Sequence, residues 1–121
     1  MLSVDLEQHG EICIARFRGR ITAGSDCEDV SAKTERIKEL ACAKLLVDFS
    51  QVHSIGSTGI GFLVGLYISM RKKPEGAFVL TGVNARVRDV LDLTRLSSIL
   101  PMAANVAVGL EFLKGRRAGA S

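Results

Sequence analysis

The sequence predicts a small α/β sandwich whose mixed sheet of four to five strands has an N-terminal β-hairpin, parallel central strands and about four helices. Two apolar runs, at residues 44–49 and 77–81, lack the alternation of a half-exposed strand, which is typical of central strands covered on both faces. Residues 57–73 between them have helical length, so a right-handed β-α-β unit with parallel strands is expected. The 121 residues, 47% hydrophobic with two prolines, have the composition of one ordered domain.

The chain begins with two alternating segments followed by a capped helix. Residues 2–7 and 12–18 alternate like strands, the second with Ile12, Ile14 and Arg16 on one face and Cys13, Ala15 and Phe17 on the other. Residues 9–10 between them are typical of a hairpin turn. Ser25, with Glu28 three positions later, forms a capping-box pattern. A helix is therefore expected to begin there and to lead into the first central strand.

The C-terminal part of the chain predicts two more helices with a short strand between them. Asn84 is a candidate cap, and the helix after it is expected to turn four side chains inward: Val87, Val90, Leu91 and Thr94. Ile99 and Leu100 predict a short edge strand, blunted by Pro101. Residues 105–113 predict a closing helix.

Charge is balanced over most of the chain. Sixteen Lys and Arg against thirteen Asp and Glu give a net charge of +3, and Lys114, Arg116 and Arg117 account for the whole excess. Residues 1–113 are therefore expected to form a single domain and residues 114–121 a basic flexible tail. A nucleic-acid-binding protein would carry a dense basic face with interleaved aromatic residues, so a nucleic-acid partner is not expected.

The three cysteines, Cys13, Cys27 and Cys42, are scattered, with no CxxC pair and no histidine at a metal-ligand spacing. They predict reduced thiols without an assigned role, and no metal site. The longest nearly apolar window, residues 60–70, falls short of the roughly 20 residues that cross a bilayer, so membrane insertion is not expected. Acidic residues stand where a signal peptide would be basic, which makes the cytoplasm the expected location.

The most unusual segment, residues 53–61, brings glycines and adjacent hydroxyls to the predicted start of a helix, directly after a central strand. The free N–H groups at such a helix start favour negative charge, and α/β domains place ligand and reaction sites there. No P-loop lysine follows, the glycine spacing is the reverse of the dinucleotide fingerprint, and Gly56 directly precedes Ser57, unlike in a nucleophile elbow. An enzyme is therefore not expected, and no cofactor is implied.

A purely structural interpretation of the same segment stays open. Ser57 would then be only the helix cap, and Gly56 and Gly59 would relieve strain in the turn. Gly61 and Gly65 would let the helix approach the sheet. These roles do not exclude a function at the same place.

A family signature is carried by residues 45–52 (LLVDFSQV) and 54–61 (SIGSTGIG), with Leu63 after them. These runs resemble the signature of the STAS family, specifically the bacterial anti-sigma factor antagonists. Residues 79–83 and 87–96 resemble that family's fourth strand and third helix. The resemblance covers nearly the whole chain, and the predicted order of elements agrees with the family fold.

The resemblance implies a phosphorylation switch. The family signature is Asp-Ser-[Ser/Thr]-Gly-[Leu/Ile]-Gly, and the hydroxyl residue after the aspartate is phosphorylated by a partner that is both kinase and anti-sigma factor. Ser57 matches that phosphoacceptor, and Thr58 is the secondary candidate. Gly56, Gly59 and Gly61 complete the switch loop, with Gly56 standing where the family usually has aspartate.

The implied partner is a kinase-type anti-sigma factor, bound by the unphosphorylated protein and released by phosphorylation, with a phosphatase to reset the switch. Apolar residues cover more than one face of the helix that follows the signature, so some of them are expected to contact the partner. The candidates are Ile60, Phe62, Leu63 and Leu66.

Two other functions stay open. One is a STAS-like scaffold or adaptor subunit of a signalling or transport assembly, using the same surface without phosphorylation, and Gly56 favours it. The other is a nucleotide or small-anion binding module that uses the glycine-rich helix start as its anion site.

Overall fold

The computed structural model describes residues 3–21, 35–36, 42–73 and 76–119. Within these ranges the elements in chain order are β1 (Ser3–His9), β2 (Ile12–Ile21), β3 (Lys44–Ile55), α1 (Ser57–Arg71), β4 (Ala77–Thr81), α2 (Ala85–Leu93), a 3-10 helix (Leu96–Ser98), β5 (Met102–Ala103) and α3 (Val106–Gly119). The helix predicted to begin at Ser25 lies outside the described residues except for Glu35 and Arg36, which are helical.

The five strands form one sheet in the order β1-β2-β3-β4-β5. Strands β1 and β2 form an antiparallel hairpin that turns at Gly10, whose φ of 63° lies in the region that favours glycine. The pairings β2–β3, β3–β4 and β4–β5 are all parallel. The predicted α/β class, N-terminal hairpin and parallel central strands are therefore confirmed.

The sheet buries apolar side chains on both faces. Alternation along β2 sends Cys13, Ala15 and Phe17 into one cluster, here termed the major core, and Ile12 and Ile14 into a second, the minor core. Helices α1 and α2 contribute their buried residues to the major core, whereas α3 contributes to the minor core. The first two helices and α3 therefore lie on opposite faces of the sheet.

Helix α2 is capped as predicted but ends differently. The side-chain oxygen of Asn84 accepts the N–H of Val87 at 2.8 Å, and Val87 and Leu91 are buried. Thr94 was expected to face inward, and the structure places it at the exposed C-cap. Its hydroxyl donates to the Val90 carbonyl at 2.9 Å, which turns the side chain back along its own helix.

The edge strand lies three residues later than predicted. Ile99 and Leu100 both donate their backbone N–H to the Leu96 carbonyl, at 3.0 and 2.8 Å, so they form a turn after the 3-10 helix. This turn buries the Leu100 side chain in the major core. Pairing with β4 takes place at Met102–Ala103, after Pro101.

Helix α3 extends beyond its predicted end at residue 113. Asn105 caps it by accepting the N–H of Val108 at 2.9 Å, and the helix runs to Gly119. The buried Lys44 ties it to β3, since Nζ donates to the Leu113 carbonyl at 3.0 Å. The predicted boundary between domain and tail therefore falls inside a helix. None of the described helices is long and apolar enough to span a membrane.

The expectation of reduced thiols is wrong for two of the three cysteines. Cys13 of β2 and Cys42, two residues before the start of β3, form a disulfide with Cα atoms 5.9 Å apart, within the normal range for this bond. The two residues are 29 positions apart in sequence, and the β2–β3 register brings them together. Cys27 lies outside the described residues.

Candidate functional site

The segment singled out in the sequence lies where β3 ends and α1 begins, at the carboxyl edge of the parallel strands. Gly56 is the N-cap, with a φ of −106° and a ψ of −171°, an extended conformation that any residue adopts. Its carbonyl accepts the N–H of Ile60 at 3.0 Å and so closes the first turn. Ser57 is the first helical residue, so the interpretation of Ser57 as the helix cap is wrong.

The amino end of α1 favours negative charge. Its N-cap is a glycine, which has no side chain to accept a hydrogen bond, and its first turn contains no acidic residue. The first N–H groups of a helix lack intrahelical partners, and the helix dipole adds about half a positive charge there. A negative group at Ser57 would therefore be stabilised by about 0.3–1 kcal/mol in an exposed setting.

The three glycines of the predicted switch loop have different positions. Gly56 precedes the helix, whereas Gly59 and Gly61 lie within α1. Gly59 is buried and Gly61 is exposed. A β-carbon on Gly61 or Gly65 would meet no atom within 4 Å, so the interpretation that these two glycines let the helix approach the sheet is wrong.

Of the four residues predicted to contact a partner, two belong to the protein's own core. Leu63 and Leu66 are 2% and 1% exposed in the major core, so their side chains are not available and this part of the prediction is wrong. Ile60 and Phe62 are half-buried against the same core. Ile68, which was not predicted, is 45% exposed. The helix is apolar on more than one face, so only packing on the sheet shows which face is buried.

The outer side of α1 is formed by residues from its second turn onward. Positions 61, 65 and 68 follow at intervals of three or four, so they lie one above another on the helix. These three residues, Gly61, Gly65 and Ile68, are here termed the outer strip. Two residues without side chains beside an exposed isoleucine make a surface that another protein can approach closely.

Strand β3 is irregular just before the site. Its pairing with β2 shifts within residues 48–51 and again within residues 52–54, and at each shift β3 has one residue more than β2. Such bulges bend a strand and are frequent next to functional sites. Gly82 packs on the first bulge with a φ of 70°, and a β-carbon there would lie 2.8 Å from the Ser50 nitrogen. Only glycine fits that position without strain.

Asn84 ties α2 to the strand that leads to Ser57. Besides capping α2, its side-chain amide donates to the Val52 carbonyl at 2.9 Å and to the His53 carbonyl at 3.4 Å. One side chain therefore positions both a helix start and the end of β3. The sequence pattern indicated only the cap, because a hydrogen bond between residues 32 positions apart leaves no local signal.

A row of charges crosses the face of the sheet that also carries the minor core. Asp48 is 8% exposed, accepts the N–H of Ser50 at 3.0 Å and lies 3.7 Å from Nε of Arg16. Arg16 in turn pairs with Glu7 on β1. The buried carboxylate is therefore satisfied by a backbone donor and a cation.

A cavity of about 420 Å³ opens beside this carboxylate at the same edge of the sheet. It is lined by Asp48, Ser50, Gly82 and residues 104–107 at the start of α3. The negative charge of Asp48 in its wall opposes a nucleotide or another anion. Among the described residues no group of three or more side chains is arranged to hold a metal ion.

Comparison with known proteins agrees with this architecture. The family model described as the STAS domain matches residues 3–109. A curated relative from Paenibacillus polymyxa, named anti-sigma F factor antagonist, is 24% identical over 104 residues. The alignment covers 86% of this chain and 88% of that relative.

Solved structures share the fold. An anti-sigma-factor antagonist (STAS) domain protein from Planctomyces limnophilus has a TM-score of 0.81 at 20% identity, with 92% of this chain and 97% of that chain covered. The Bacillus cell fate determinant SpoIIAA in its phosphorylated form has a TM-score of 0.68 at 18% identity, covering 92% and 99%. At these identities the similarity establishes the fold.

Proposed function

We propose that this chain, which belongs to the STAS domain family, is an anti-sigma factor antagonist that binds a kinase-type anti-sigma factor and is switched off by phosphorylation of Ser57. The curated relative is named for that role, and SpoIIAA, which shares the fold, has a phosphorylated form. The observation that carries the proposal is the place of Ser57. It is the first residue of a helix without an acidic first turn, at the carboxyl edge of the sheet.

The partner supplies the chemistry of the switch. The Ser57 hydroxyl oxygen bonds to the γ-phosphorus of ATP, the bond to the β,γ-bridging oxygen breaks, ADP leaves, and the hydroxyl proton passes to a base of the kinase. Thr58, one position further into the helix, is the secondary acceptor. A phosphatase returns the protein to its binding form by hydrolysing the phosphate.

The switch acts on the interface and leaves the fold intact. A phosphoserine brings a charge of about −1.5 to −2, which the amino end of α1 tolerates. The same charge, one helical turn before the outer strip, must be desolvated when the partner binds. We expect a loss of at least about 100-fold in affinity, equivalent to about 2.7 kcal/mol.

The adaptor function is favoured by one specific observation. Gly56 provides no carboxylate beside Ser57, whereas the family signature has aspartate there. A protein that uses the outer strip without phosphorylation would need no such group.

Intact-mass spectrometry after incubation with ATP and candidate kinase-type anti-sigma factors tests the phosphoacceptor. One added phosphate is expected in the wild type and in Thr58→Ala, and none in Ser57→Ala. A phosphate that persists in Ser57→Ala would reject Ser57 as the primary acceptor, and its loss on adding Thr58→Ala would assign it to Thr58. Stable complexes without phosphate for every candidate would favour the adaptor.

Paired arginine substitutions test the surface. Ile68→Arg introduces a charge on the outer strip and is expected to weaken partner binding at least tenfold. Val108→Arg is the matched control, because Val108 is 48% exposed on α3, on the opposite face of the sheet. Binding measured by calorimetry should be unchanged by the control. Equal losses in both variants, or no loss in Ile68→Arg, would contradict the assignment.

A further inference from the structure

The disulfide lies at the amino edge of the parallel strands, at the other end of β3 from Ser57. Cys13 pairs with Leu45 in the β2–β3 ladder, and Cys42 lies two residues before the start of β3. Both side chains are buried, at 1% and 2% exposure, within the major core. This bond plays no part in the function proposed above.

The backbone around Cys42 is held by contacts that do not depend on the disulfide. Its carbonyl accepts a hydrogen bond from Nζ of Lys73 at 2.9 Å. The next two residues are fixed as well, since the Ala43 carbonyl accepts the N–H of Ala77 at 3.0 Å and Lys44 donates its N–H to Glu11 at 3.1 Å. Breaking the sulfur–sulfur bond therefore leaves the two cysteines side by side.

The buried position of Cys13 and Cys42 can also hold the two cysteines as free thiols. A free cysteine behaves as a small apolar residue, and the side chains around this pair belong to the major core. We propose that Cys13 and Cys42 are a redox modification site, a reversible dithiol–disulfide couple that sets the stability of the domain.

The exchange partner is a thiol–disulfide pair such as glutathione. In oxidation, the protein dithiol gives up two electrons and two protons, one sulfur–sulfur bond forms between Cys13 and Cys42, and glutathione disulfide becomes two molecules of glutathione. Reduction reverses these steps through a mixed disulfide. Since both sulfurs are buried, exchange proceeds through local opening at the start of β3.

The bond closes a loop between residues 29 positions apart. Such a cross-link restricts the unfolded chain and so raises the midpoint of thermal unfolding. For a domain of this size we expect reduction to lower that midpoint by roughly 10 °C while the fold at room temperature is retained.

A redox titration in a Cys27→Ser background, which removes the third thiol, tests the couple. The folded protein is equilibrated in glutathione buffers of increasing oxidised fraction, quenched with acid, alkylated and weighed by mass spectrometry. The expected result is a single transition from two alkylated thiols to none, reversed by dithiothreitol. Two free thiols across the whole series would overturn the proposal, as would glutathione adducts in place of the cross-link. A disulfide that dithiothreitol cannot open without unfolding would also overturn it.

Single substitutions separate the cross-link from packing. Cys13→Ala and Cys42→Ala, each in the same background, cannot form the bond. Their unfolding midpoints should be identical in oxidising and reducing buffer, whereas that of the parent should shift by roughly 10 °C. If one variant fails to fold, the other gives the same comparison. If the unfolding midpoint of the parent is the same in oxidising and reducing buffer, the proposal is contradicted.

Discussion

Gly56 occupies a position that does not use the conformational freedom of glycine. Its extended backbone is open to any residue, and aspartate is among the best N-cap residues. Gly56→Asp is therefore expected to raise the free energy of unfolding by about 0.5–1 kcal/mol, since the side chain caps the helix and its charge complements the dipole. Urea unfolding at neutral pH measures the change.

Gly56→Asn is the control for this prediction, because it supplies the cap without the charge. Its gain should be smaller and insensitive to salt, whereas the additional gain of Gly56→Asp should disappear in about 1 M salt. Destabilisation by both substitutions would mean that residue 56 does not adopt the N-cap conformation.

The site at this scale was only partly predictable from sequence. The start of α1 could be placed to within one residue of Ser57, because glycines and hydroxyls after an apolar run mark a strand-to-helix junction. The sequence did not show which glycines are closely packed and which face open space. Gly61 faces open space while Gly82 is pressed against Ser50, and this difference depends on elements distant in sequence.

Substitution by alanine is expected to change the free energy of unfolding in opposite directions at two helical glycines. A β-carbon on Gly65 of α1 would meet nothing within 4 Å, so Gly65→Ala is expected to stabilise the protein by about 0.5–1 kcal/mol. A β-carbon on Gly109 of α3 would lie 2.7 Å from Thr81 and 2.8 Å from Leu46. Thr81 cannot move aside, because it is fully buried and its hydroxyl donates to the Val47 carbonyl.

Gly109→Ala is therefore expected to lower the free energy of unfolding by about 1–2 kcal/mol, even though alanine is the better helix former. Urea unfolding of the two variants beside the wild type tests both signs together. Stabilisation by both would mean that α3 lies farther from the sheet than described. Destabilisation by Gly65→Ala would mean that the outer strip is in contact with something in solution.

Elements were predictable where their own hydrophobic pattern defines them. The parallel pairing of β3 with β4 follows from two uninterrupted apolar runs and the helix between them. The buried face of α1 could not be predicted from the sequence, because α1 has apolar residues on more than one face. Leu63 was expected at the surface but is buried, and the exposed Ile68 was not predicted. The position of β5 depends on the turn that buries Leu100, which is a tertiary contact.

The disulfide and Ser57 lie at opposite edges of one sheet. The disulfide precedes β3 and Ser57 follows it, and a strand of 12 residues separates them by on the order of 30 Å. Topology was predictable from the order of elements, whereas the disulfide was not, because it depends on the β2–β3 register.

This separation predicts that the two edges contribute independently to stability. Substitutions that share no partner and lie more than about 10 Å apart are additive to within roughly 0.5 kcal/mol. A double-mutant cycle of Gly56→Asp and Cys13→Ala, in the Cys27→Ser background and oxidising buffer, should therefore give an interaction energy no larger than that. Urea unfolding of the four proteins measures it. An interaction energy above about 1 kcal/mol would show that the sheet couples its edges, so that the redox state of the cysteines also acts on the segment around Ser57.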